Sequence, residues 1–183
     1  NSGSISTIQD LSNGIDVSGD NAVVSNTGAI ATTGNSSIAI NLIGNDATIT
    51  NSNSITTDGT SSDAILSSGS NISIANSGSI STVHDSSNGI DVSGDNAVVS
   101  NTGAISTTGN SSIAINLIGN DATITNSNSI TTDGTSSDAI LSSGSNVNIA
   151  NSGSISTVHD SSNGIDVSGD NAVVSNTGAI ATT

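Results

Sequence analysis

The sequence predicts an all-β protein, a parallel β-solenoid wound from 25-residue coils, and three observations lead there. The chain repeats itself: the stretch NSGSISTVHDSSNGIDVSGDNAVVS at 76–100 returns unchanged at 151–175. Its bulk comes from Ile, Val, Leu and Ala with no Phe, Tyr, Trp or Met, which suits a thin pleated interior and not a bulky globular core. Those apolar residues pair at a spacing of two, as in Ile15 and Val17, Ile40 and Leu42, or Ala22 and Val24, the alternation of strands with one buried face.

The repeat has two levels. Blocks of 75 residues begin at Asn1, Asn76 and Asn151, and each divides into 25-residue units, the first three starting at Asn1, Asn26 and Asn51. Stacked in register, the units form columns, numbered here by position within the coil. The first strand is placed at positions 3 to 7 around an unbroken Ile column: Ile5, Ile30, Ile55, Ile80 and onward to Ile180. The second is placed at positions 13 to 17 around Ile15, Ile40, Ile65, Ile90 and their successors, and the third at positions 21 to 25, where Val or Ile fills position 24.

Corners fall between the strands. Position 12 is Ser from Ser12 to Ser162, a turn or capping residue, and position 19 is Gly throughout, as in Gly19, Gly44, Gly69 and Gly94, where positive φ is expected. Position 1 is always Asn, including Asn1, Asn26, Asn51 and Asn76; Asn tolerates the left-handed conformation and can hydrogen-bond to the Asn one layer away. Three strands and three corners close one coil.

With neighbouring coils about 4.8 Å apart, residues 1–183 form one continuous solenoid segment roughly 35 Å long. A right-handed β-helix is preferred, because left-handed solenoids go with hexapeptide repeats and 25 is not a multiple of six; the L-x-x-L-x-L pattern of leucine-rich repeats is missing. One coil buries too few aliphatic side chains to offset the entropy of ordering its backbone, so coils must stack to fold. The chain opens in full consensus at Asn1 and stops within a unit at Thr183, so an uncapped piece of a longer array or filament is expected.

All fifteen acidic residues are Asp, and with no Lys or Arg the formal charge is −15. Such a surface repels phosphate backbones and anionic lipid, which speaks against nucleic-acid partners. The longest apolar-rich stretches, such as Ile38 to Ile43 with Asn41 inside it, fall far short of the roughly 20 residues of a membrane-spanning helix, so no direct membrane insertion is expected in this segment. Without Cys there are no disulfides and no thiolate metal sites.

The three-coil block has an electrostatic logic. Identical coils would set Asp on Asp at about 4.8 Å along the whole rod. Instead position 10 reads Asp10, Asn35, Thr60, Asp85; position 16 reads Asp16, Asn41, Leu66, Asp91; position 20 reads Asp20, Asn45, Ser70, Asp95. Like charges within a column are thereby separated by about 14 Å, beyond the Debye length of physiological salt.

Chemistry-bearing residues are few. Asp10, Asp16 and Asp20 share a coil, as do Asp85, Asp91 and Asp95, and Asp160, Asp166 and Asp170, so calcium is the one cofactor to weigh. The glycine-rich calcium nonapeptide is absent and the three Asp should face different ways, which favours a solvated acidic face. His84 and His159 lie three coils apart, too far to share a metal, and are read as turn residues. The column Thr7, Thr32, Thr57, Thr82, Thr107 and Thr132 is either a surface hydroxyl ladder for ice or another lattice, or, since Thr7 shares the parity of Ile5, an inward structural ladder. Asn35, Asn71 and Asn110 match the N-x-[ST] glycosylation pattern. No catalytic residue stands out.

The unit N-[ST]-G-[SA]-I-x-T…S-x-G-I-x-V-x-G-x-N-A-x-V-x-N-[ST]-G, running the length of the chain, resembles the passenger repeats of bacterial autotransporters and related tandem-repeat β-solenoid adhesins. The resemblance implies export to the bacterial cell surface, a membrane anchor elsewhere in the polypeptide, and a role in adhesion, aggregation or biofilm. Together the readings make this a structural protein and not an enzyme: a rigid acidic stalk or fibre segment that self-associates end to end or side by side and meets host surfaces, other cells or polysaccharide. The alternative is an ice- or polysaccharide-binding solenoid that uses Thr and Ser ladders. A polysaccharide lyase or hydrolase is disfavoured, since no paired catalytic carboxylates stand out and Lys, Arg and Glu are absent.

Overall fold

The computed structural model describes all residues 1–183. Its first coil contains β1 (Ile5–Thr7), β2 (Ile15–Ser18) and β3 (Val23–Asn26), and the same triplet recurs to the twenty-second strand, Ile180–Thr182. Each strand pairs only with its equivalents one coil away, always parallel, giving one sheet of eight strands and two of seven. The register is column on column: Ile5 opposite Ile30, Val17 opposite Leu42, Asn26 opposite Asn51. The protein is a parallel β-solenoid, and its strands start about two positions later in the coil than the sequence pattern places them. Turn residues take up the difference, although coil-to-coil backbone bonds continue through the corners, as from Leu11 to Asn35 at 3.0 Å and from Asn21 to Asn45 at 2.8 Å.

The core is a column of thin layers. Its apolar cluster comprises 29 buried residues drawn from the inward positions, with Ile30, Ile55 and Ile80 on the first sheet and Ile40, Ile65 and Ile90 on the second almost wholly inaccessible. β-Branched side chains fit because each Ile of the first two sheets stacks on an Ile of the next coil.

Polar columns seal the corners from inside. Asn26 donates through Nδ2 to the Oδ1 of Asn51 at 2.7 Å and to the carbonyl of Gly28 at 2.7 Å, and Asn51 and Asn76 continue the chain of amides. These Asn residues end the third strand of each coil in extended backbone; the left-handed conformation expected of them belongs to positions 11 and 21 instead, for example Ser36 at φ 53° and Asn71 at φ 60°. A second buried column is Ser: Ser37 Oγ accepts from the Ser12 amide at 3.1 Å and donates to the Gln9 carbonyl at 3.0 Å, tying coils together.

Glycine at position 19 answers two demands. Gly19, Gly44, Gly69 and Gly94 have φ between 136° and 154°, as expected, and from Gly44 onward each lies against the glycine carbonyl of the coil before it. A Cβ on Gly94 would come 2.1 Å from the Gly69 oxygen, whereas one on Gly19 would meet nothing. Replacing Gly94 by Ala is therefore expected to cost about 2 kcal/mol or more, and Gly19→Ala only about 1 kcal/mol from its backbone strain; chemical denaturation of the two variants checks the difference.

The third coil of each block interrupts the packing. Ser67 and Ser142 stand in the position-17 column otherwise filled by Val and Leu, and their Oγ atoms, like those of Thr57 and Thr132, are buried without a hydrogen-bond partner. Ser67→Val with Ser142→Val removes two unpartnered hydroxyls and fills the layers. A gain of about 1–3 kcal/mol per site is expected, read as a higher melting temperature in calorimetry.

Candidate functional site

The outer surface of the rod is organised by carboxylates that lack any Lys or Arg partner. The columns at positions 10, 16 and 20 handle them in the same way: the next coil supplies an amide. Asp10 accepts from the Asn35 backbone amide at 2.8 Å, and Asn35 Oδ1 in turn accepts from Thr60 at 2.9 Å. Asp20 accepts from the Asn45 amide at 2.8 Å, and Asp16 from the Asn41 side chain at 3.1 Å. Asp85, Asp91 and Asp95 repeat these contacts with Asn110, Asn116 and Asn120. An acceptor-only carboxylate needs a donor above it, and Asn, which both donates and accepts, passes the pattern on to Thr or Ser. The order Asp, Asn, then a hydroxyl or apolar residue thus serves hydrogen bonding as well as charge spacing.

The calcium candidates do not converge. Asp10 sits at the corner before β2, Asp16 points outward from the middle of that strand, and Asp20 lies at the corner beyond it. No three of the His and Asp side chains meet in metal-ligating proximity. Asp85, Asp91 and Asp95 are dispersed in the same way one block later, because a flat sheet lies between the two corners in each case.

The Thr ladder requires correction as a candidate surface. Thr32, Thr57, Thr82, Thr107 and Thr132 are wholly buried, and Thr7, in the first coil, is partly covered. Two residues after an inward Ile, each must point inward too. Thr32 Oγ1 donates to the Ser37 carbonyl at 2.9 Å and pins the first corner, a bond that Thr82 and Thr107 repeat. Outward hydroxyls come from other columns, such as Ser25, Thr50 and Ser100 on the third sheet.

His84 and His159 occupy the first corner with φ of 82° and 85°, and each reaches the coil before it: His84 Nε2 lies 2.9 Å from Asp58 Oδ1, and His159 the same distance from Asp133. The contact gains its full charge only when the imidazole is protonated, and both partners are more than half exposed.

Sequence columns miss one cluster, because it runs diagonally. Asp63, at position 13, accepts through Oδ1 from the Asn88 backbone amide at 2.6 Å; the Asn88 side chain donates to Asp91 at 2.9 Å, and Asn116 donates to the other oxygen of Asp91 at 3.0 Å. Asp63 and Asp91 belong to different columns, so a column-by-column inspection never sets one beside the other. Burial, reinforced by the nearby Asp91 charge and only partly relieved by the Asn88 amide, pushes Asp63 from the ordinary 3.8 up to about 7. Burial also raises Asp91, against the stabilising bonds from Asn88 and Asn116. One block later burial raises Asp138, with Asn163 opposing and Asp166 reinforcing the shift. Charge spacing therefore holds within columns and fails across the boundary between one block and the next.

No protein-family model, curated protein or solved structure matches this chain. The site is described by its own chemistry: self-stacked amides and hydroxyls, carboxylates capped by the next coil, and Asp63, Asp91 and Asp138 raised by burial at the block boundaries.

An acid whose pKa is higher folded than unfolded keeps its proton in the fold over a window where the unfolded chain has lost it. Stability is then greatest below about pH 4 and falls as pH rises through the window from 3.8 to about 7. After discounting for solvent screening, the loss is roughly 1–3 kcal/mol at the Asp63 boundary, with a loss of the same sign at Asp138. Asn is an apt replacement, since Asn13 and Asn88 make the same contact at this position in other coils. The double variant Asp63→Asn, Asp138→Asn is expected to melt higher than the parent at pH 8 and to show a flatter dependence of melting temperature on pH between about 4 and 8.

Proposed function

We propose that this chain is a rigid acidic stalk or fibre segment of a bacterial cell-surface adhesin or filament, a structural and interaction protein and not an enzyme. The observation that carries the reading is the unbroken register: every strand from the first coil to the last pairs with its own copy, with no inserted loop, lid or change of direction. A rod built this way has a length set by copy number and a cross-section independent of it. Amide-capped carboxylates keep the surface highly charged and hydrated without folding it back on itself. The adhesive and extracellular parts of the proposal rest on the resemblance of the repeat unit to autotransporter passengers.

Small-angle X-ray scattering on chains of two, three and four blocks tests the stalk. The long dimension is expected to grow by about 14 Å per block at constant cross-sectional radius; growth with the square root of block number would exclude a rigid spacer. Display on a non-adherent bacterium, with and without the repeat region, then tests adhesion and aggregation.

A further inference from the structure

Charge is not spread evenly around the rod. All fifteen Asp lie at coil positions 8, 10, 13, 16, 20 and 21, and none lies on the arc from position 22 through position 7 of the next coil. That arc carries the third sheet, the corner after it and the first sheet up to position 7, the far edge of that sheet at position 8 holding Asp58 and Asp133. Its outward side chains are short and neutral: Val23, Ser25 and Thr27 at the first coil, Thr48, Thr50 and Ser52 at the second.

Relief on this face is periodic. Val23, Val98 and Val173 project from the third sheet with 77%, 47% and 61% of their surface exposed. On the same sheet Ala replaces Ser or Thr at Ala75 and Ala150, leaving hollows of about 160 and 110 Å³ edged by hydroxyls such as Ser77 and Thr102, or Ser152 and Thr177. Projections and hollows share the 75-residue period, about 14 Å along the rod.

We propose that this charge-free face is where a second copy of the chain docks, the two rods lying side by side. The inference rests on the rod reading above. Contact through any other side sets carboxylate columns against carboxylate columns with no cation between them, a repulsion repeated at every block. The neutral arc alone lets two such rods touch, and short side chains let the sheets approach closely. Because both relief features have one period, seating one Val in register seats every other along the rod, which favours an identical partner over one with a different repeat. About 35 Å of length by roughly 15 Å of sheet offers about 500 Å² per copy, less than the roughly 800 Å² per partner of a standard interface. The pairing is consequently weak and reversible at this length and strengthens as blocks are added.

Sedimentation of the 183-residue chain from about 10 μM to about 1 mM tests it. The mass is expected to climb from 17.6 kDa toward its double, with a larger scattering cross-section at unchanged length. Val98→Asp, on the face, is compared with Ser86→Asp, an exposed corner position on the acidic arc that adds the same charge. In about 0.5 M salt, where long-range repulsion is screened, Val98→Asp is expected to weaken pairing at least about 10-fold and Ser86→Asp to leave it unchanged. Ala75→Asp is a second face variant should Val98→Asp disturb the fold, which circular dichroism reports. A chain that stays monomeric at about 1 mM overturns the proposal, as does equal weakening by the face and corner variants, or doubling in length at constant cross-section. Ice or polysaccharide binding by a monomer, lost in Val98→Asp, assigns the face to that ligand and overturns pairing as well. In each of these cases a rod of the stated length per block leaves the stalk reading intact.

Discussion

Everything in this molecule follows from a parallel ladder in which each residue sits on its own counterpart about 4.8 Å away. The backbone demands that spacing for hydrogen bonding, so every side chain must tolerate a close neighbour at the same position in the coils on either side. Ile on Ile satisfies the requirement by dispersion, Asn on Asn by a head-to-tail chain of amide bonds, and Ser at position 12 by both accepting from and donating to the coil before it. Asp on Asp would not, and no column contains that pair.

The same constraint explains why the true period is three coils. Carboxylate, amide and hydroxyl form a short donor sequence that must restart, and the restart falls between the third coil of one block and the first of the next. Compromises gather there. The third coil holds the unpartnered Thr57 and Ser67 hydroxyls, the Ala75 hollow and the half-buried Asp63, whose partner across the boundary, Asn88, also donates to Asp91. The His84 contact with Asp58 spans this boundary too. Block junctions are thus where the perturbed acids Asp63, Asp91 and Asp138 gather.

A rod with these properties combines two surfaces on one backbone. The arc from position 8 to position 21 carries the whole negative charge and keeps the chain hydrated, while the remaining arc is neutral and shallowly sculpted. No cleft gathers reactive groups, and the largest hollow, about 600 Å³, lies over the end layer of the core at Ile165, Val174 and Ile180. Length, set by copy number, and the placement of charge around the rod are the variables this architecture controls.

Much of this was legible in the sequence. The coil length, the strand count per coil, the inward Ile columns, the glycine corner and the Asn ladder follow from a repeat so regular that parity and column identity are read directly, since period two dictates which side chains share a face. The sequence by itself also determined that no two Asp stack within a column. Tertiary structure alone decided what depends on how corners turn. It decided between the two readings of the Thr column, whose parity with Ile5 had already pointed inward, and it set Asp63 diagonally near Asp91, a pair separated by 28 residues and visible in no column. It also decided that position 11 and position 21 take the left-handed turns, because the direction in which a chain leaves a corner is set by the sheet it must rejoin.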